Sequence, residues 1–168
     1  LAASNAPGLA RAFLELHRTY RQTHERLASL DEALGRQDVQ LRASPWDEVR
    51  DFFHYCDNYI DSVDQAAEQF SSLAHGQGGI RLAAIRALKE TGITVNFADI
   101  APLRLYDPEA KVLSLSSRAA PQTQSFQLLL QVALIQRNSL LEATLDSARF
   151  QSEASRNIGK IGLANYFA

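Results

Sequence analysis

Apolar residues in the first part of the chain recur at alternating steps of four and three. Leu9, Phe13, Leu16, Tyr20, Leu27, Leu30 and Leu34 share one helical stripe with a single polar member, Thr23. Asn5 and Pro7 suit the start of that helix and Gly35 its end. The stretch "SPWDEVR" opens a second helix: Ser44 caps, Pro45 fits the first turn, and Asp47 and Glu48 favour the positive end of the dipole. Its stripe runs Trp46, Val49, Phe53, Cys56, Ile60, Val63, Ala67, Phe70, which predicts one helix over 44–74. Two such helices joined by residues 35–43 pair either as a hairpin within the chain or across a dimer.

The pattern changes after "GQGG" at 76–79. A short helix over about 80–90 stops at Gly92, and three alternating segments follow, "ITVNF" (93–97), "LRLYD" (103–107) and "KVLSLS" (111–116). "DPEA" between the last two is turn chemistry, so those strands form a hairpin and the small sheet is expected to be antiparallel. A long apolar helix follows Pro121 and another runs from about Ser152 to the end. The predicted class is α+β, mostly α: long N-terminal helices, a small antiparallel sheet at about 93–116, then a helical layer over 121–168.

Composition narrows the function classes. At 168 residues and 46% apolar content the chain is long enough to bury a core. A formal charge of −2 gives no overall basic field for nucleic acid. One cysteine, Cys56, forms no internal disulfide and falls short of a zinc or iron–sulfur ligand set, which points to a reducing compartment. No apolar run approaches the roughly 18 residues of a membrane span and no signal-peptide order opens the chain, so a cytoplasmic location without a membrane partner is expected. Charge is uneven: residues 43–75 carry a net of −6, which reads as a solvated face, whereas residues 76–118 carry +2 and are the better place for an anionic ligand.

The stretch "SFQLLLQVALIQ" (125–136) has the outline of a peptidase helix written Phe-x-x-x-His-Glu-x-x-His, and "ANYFA" (164–168) supplies a second landmark. In this order, after a small sheet, they resemble the ImmA/IrrE family of metallopeptidase-like domains, whose zincin-like helical layer holds zinc through two histidines and a later carboxylate, with a glutamate as base. Aligned on Phe126, the corresponding positions here are Leu130, Gln131, Leu134 and Leu163. The layer is therefore expected to be degenerate, with no catalytic residue, no metal and no enzyme activity. The four histidines, His17, His24, His54 and His75, all precede the sheet and do not rebuild the site by spacing.

A narrower likeness is carried by "SPWDEVRDFFHYCDNYIDSVDQAAE", "FQLLLQVALI" and "IGLANYFA". Together they resemble the RamB/PrpR group of bacterial transcription regulators responsive to short-chain fatty acids and acyl-CoA. The resemblance implies residues 1–43 as a linker or dimerisation helix and 44–168 as a sensor region. It also implies a parent protein with a helix-turn-helix upstream, which alone would contact DNA, and a C-terminal part where an iron–sulfur cluster could sit. Neither part is in this sequence. This chain itself is expected to hold no cofactor, with acyl-CoA (propionyl-CoA or acetyl-CoA) as small-molecule effector, and to form a homodimer. Basic donors for the coenzyme's phosphates are sought at Arg81, Arg86, Lys89 and Arg118, and aromatic walls for the acyl tail or adenine at Phe126, Tyr166 and Phe167. Two rivals remain: an active zinc peptidase, and a dimerisation module that binds no ligand.

Overall fold

The computed structural model describes residues 44–168, together with Glu15, Arg18, Thr19, Tyr20, Gln22 and Thr23. The chain divides into two units, Leu1–Arg42 and Ala43–Ala168. In the first, the described residues are helical, and the Thr19 and Thr23 hydroxyls donate to the Glu15 and Thr19 carbonyls one turn back, at 2.9 and 2.8 Å. Most of the expected apolar stripe over 9–34 lies outside the described residues.

The second unit begins with helix α1 (Pro45–Tyr55), whose start follows the sequence reading. The Ser44 hydroxyl accepts from the Asp47 N–H and the Asp47 carboxylate accepts from the Ser44 N–H, a reciprocal capping box with Pro45 in the first turn. The single helix expected over 44–74 is corrected here, because α1 stops at Tyr55 and α2 (Asp61–His75) starts afresh. Asp57 and Asn58 both take left-handed backbone angles (φ 51° and 55°), and their N–H groups return to the His54 and Phe53 carbonyls at 3.0 and 2.8 Å. These bonds satisfy the last carbonyls of α1 in the manner of a Schellman cap, with short polar side chains where glycine is usual. The break shifts the helical phase, so that α2 buries Val63, Ala66, Phe70 and Ala74 in place of the continuous stripe.

Helix α3 (Ile80–Glu90) buries Ala83, Ala84, Ala87 and Leu88 and closes through Gly92 (φ 82°), as its pattern predicts. Strands β1 (Thr94–Ala98), β2 (Arg104–Asp107) and β3 (Val112–Ser116) form a sheet in the order β1-β3-β2. The hairpin of β2 and β3 is present, its turn held by the Asp107 carboxylate accepting from the Glu109 and Ala110 N–H groups at 2.9 Å. The all-antiparallel sheet is corrected, because β1 pairs with β3 in parallel, Val95 opposite Leu113. A parallel pair needs a long crossover, and here β2 with its flanking loops provides it.

Three helices complete the unit: α4 (Pro121–Gln136), α5 (Asn138–Ala148) and α6 (Glu153–Phe167). The apolar segment after Pro121 divides at Arg137, the last cap of α4 and the first of α5, next to the weak helix formers Asn138 and Ser139. Helix α4 is the centre of the unit. Residues 128–133 are buried without interruption, which a helix tolerates only when covered on all sides. It lies against α3, α5, α6 and β3. Leu113, Leu115, Leu128, Val132, Leu141 and Leu163 are fully enclosed and form the middle of the core. No helix among the described residues is long and apolar enough to cross a membrane.

Candidate functional site

Helix α4 carries three glutamines that tie it to its surroundings. Gln124 donates to the Ser116 carbonyl at the end of β3 (3.0 Å), and Gln136 donates to the Ala87 carbonyl of α3 (2.7 Å). Between them Gln131, only 2% exposed, accepts from Nη1 of Arg104 on β2 at 2.8 Å. Burial pushes the Arg104 guanidinium below its ordinary pKa. Of the positions that the peptidase likeness assigns to chemistry, Leu130 and Leu163 are buried, Leu134 is half-buried, and Gln131 is engaged with Arg104. Among the described residues, no three His, Cys, Asp or Glu side chains come together as a metal site.

An open groove of about 640 Å³ lies between α2, the start of α3, the first turns of α4 and the end of α6. Its walls are mainly apolar, with Phe70, Ile80, Phe126, Leu129 and Phe167 contributing. Phe70 and Phe167 meet edge to face, with ring centroids 6.0 Å apart. Phe126 stays 36% exposed, so its ring is available to a ligand. Two of the three aromatic candidates, Phe126 and Phe167, therefore share one cavity.

Tyr166 does not join them. Its hydroxyl accepts from the Ile60 N–H and donates to the Asp64 carboxylate, both at 3.4 Å, which directs the side chain to the start of α2. Successive positions on α6 are rotated by about 100°, which separates it from Phe167.

The basic candidates divide into two sets. Arg81, one residue beyond the groove-lining Ile80, lays its guanidinium 4.6 Å from the centre of the Phe97 ring. Arg118 pairs with Asp99. Both arginines are thus tethered within three consecutive residues, 97–99, at the end of β1. Arg86 and Lys89 lie on the exposed face of α3, and their side chains have no hydrogen bond or ion pair to another described residue. His54 is exposed, and His75 pairs through Nδ1 with the Ser71 carbonyl at 2.8 Å.

Sequence reasoning missed Phe70, Leu129, Ile80 and Glu68 as groove residues. Phe70 was legible as part of an apolar stripe, but a stripe does not say which helix end will meet it across a gap.

No family profile matches the chain. Among individual proteins, it is 60% identical over 168 residues to a protein named propionyl-CoA carboxylase regulator from Cereibacter sphaeroides, covering 100% of this chain and 36% of that one. It is 34% identical over 173 residues to the HTH-type transcriptional regulator RamB of Mycobacterium tuberculosis, and 31% identical over 170 residues to PrpR of the same organism. Each of these covers 96% of this chain, with 36% of RamB and 35% of PrpR matched. A solved structure described as a Mycobacterium tuberculosis transcriptional regulator superposes with a TM-score of 0.67 at 34% identity, over 73% of this chain and 39% of that one. The chain spans little more than a third of the curated relatives it matches. Along essentially its whole length, it is homologous to one segment of the RamB/PrpR group of transcriptional regulators.

Proposed function

We propose that this chain is the effector-sensing region of a transcription regulator of propionate and short-chain acyl metabolism, and that its effector is a short-chain acyl-CoA. The groove bounded by Phe70, Phe126 and Phe167 carries this reading, since a slot of that size with mainly apolar walls suits a thin acyl tail. Arg81 and Arg118, near the end of β1, are the donors for the coenzyme's phosphates, where a planar guanidinium binds an anion in a fork. Arg86 and Lys89 contribute at longer range from the outer face of α3. Tyr166 serves the frame rather than the ligand.

In this reading α4 and α6 descend from a metallopeptidase-like layer that has exchanged zinc ligands and base for Leu130, Gln131, Leu134 and Leu163, so the region binds without reacting. DNA contact belongs to a helix-turn-helix elsewhere in the parent protein, and an iron–sulfur cluster, if the parent carries one, to its C-terminal part. The apolar stripe over 9–34 is the candidate homodimer contact that would pass a change to DNA. A ligand moves such a switch only by its difference in affinity for two states.

Calorimetric titration with propionyl-CoA, acetyl-CoA and free coenzyme A tests the proposal. Saturable binding of the thioesters is expected, with Arg118→Ala weakening it by about 1.5–3 kcal/mol if a charged hydrogen bond is lost. A folded protein that gives neither heat nor a thermal shift with any thioester would leave the region as a dimerisation module.

A further inference from the structure

Among the side chains that line the groove one is ionisable, that of Glu68, which lies two residues before Phe70 on α2. Its carboxylate is exposed and has no hydrogen bond or ion pair to another described residue. Facing it from the first turns of α4 are Gln122 and Ser125, both neutral, and no arginine or lysine lines the cavity. The nearby arginine of α3, Arg81, is turned to Phe97, and Arg118 is paired with Asp99. An anionic group between the apolar walls would therefore meet a negative charge with no cation among the lining residues to offset it.

We propose that Glu68 is a specificity-determining residue that excludes acyl groups ending in a second carboxylate and reserves the groove for uncharged short acyl chains. This rests on the acyl-CoA reading of the groove and adds which thioesters it refuses. Selection of this kind works by penalising the wrong ligand, not by adding contacts to the right one. A like charge at about 4 Å weakens binding roughly five-fold even in water, and more where solvent is partly displaced. The apolar walls add their own preference for a methyl over a carboxylate, so the contribution of Glu68 has to be read from a change in ratio.

Propionyl-CoA and malonyl-CoA form a suitable pair, because a carboxylate replaces the terminal methyl group and the rest of the ligand is shared. Calorimetric titration of both into the protein and its Glu68→Gln and Glu68→Lys variants tests the proposal. The unsubstituted protein should bind malonyl-CoA more weakly than propionyl-CoA. Glu68→Gln should narrow that ratio about five-fold while leaving the propionyl-CoA affinity within about two-fold, and Glu68→Lys should narrow it further. Raising the salt concentration should narrow the ratio in the unsubstituted protein and leave it unchanged in Glu68→Gln. A ratio identical in all three proteins would overturn the role of Glu68 while leaving acyl-CoA binding intact. Absence of binding by both thioesters in all three proteins would overturn the sensor reading, and this inference with it.

Discussion

Gln131 stands where the peptidase likeness calls for a glutamate base, and it accepts a hydrogen bond from the half-buried Arg104. The contact matters because an amide is neutral: it holds the Arg104 guanidinium in place without cancelling its charge, and burial accordingly lowers the arginine's pKa. Gln131→Leu should cost about 1–3 kcal/mol in urea unfolding, because it removes the acceptor and leaves the donor behind. Gln131 was visible in the sequence as a polar letter in an apolar helix. Its partner was not, since Arg104 lies 27 residues away and reaches it only once the mixed sheet is formed. Gly162 is another residue whose meaning is tertiary. A Cβ placed there would lie 2.9 Å from the Phe53 ring, so Gly162→Val should destabilise the protein by about 1–3 kcal/mol through overpacking between α1 and α6.

Among the elements, the starts and stops with local chemistry were readable: the capping box before α1, Gly92 after α3, and the Asp107 turn between β2 and β3. Breaks made without proline or glycine were not. The apolar stripe runs through 56–60 at helical spacing, yet Asp57 and Asn58 end the helix by entering left-handed geometry. Asp57→Val should therefore cost roughly 1–2 kcal/mol, because a branched side chain clashes in that conformation, and unfolding by denaturant measures it. The parallel pairing of β1 was equally hidden, as alternation marks a strand without naming its neighbour.

Helices α5 and α6 are joined by ion pairs, Lys160 and Arg156 donating to Glu142 at 2.7 and 2.5 Å. These hydrogen bonds hold the Glu142 carboxyl below its ordinary value of 4.5. A depressed carboxylate pKa means that the stabilisation is complete above the unfolded value and is lost as pH falls through the folded one. Below about pH 4.5, stability should decline less steeply in Glu142→Gln than in the unsubstituted protein, as followed by thermal melts across an acid series. The effect should be modest, since all three side chains remain partly open to solvent.

At the scale of the whole unit, α4 is a buried axis around which the sheet and the other helices are arranged, and the groove opens where its first turns meet α2 and α6. The sequence placed Phe126 and Phe167 on helices that do converge, but it could not place Tyr166 outside the cavity or bring Phe70 into it. Those outcomes follow from the phase of each helix relative to its neighbours, which depends on breaks and crossings that local patterns do not encode.

In the proposed function this groove receives the acyl end of a coenzyme A thioester. Calorimetric titration of propionyl-CoA into the protein and into Phe126→Ala decides whether it does, because the Phe126 ring is partly exposed and its removal should leave the fold intact. Saturable binding with a negative heat-capacity change is expected, at least about five-fold weaker in the variant, consistent with the loss of roughly 1 kcal/mol or more of apolar burial. Equal affinity in the two folded proteins would contradict the claim.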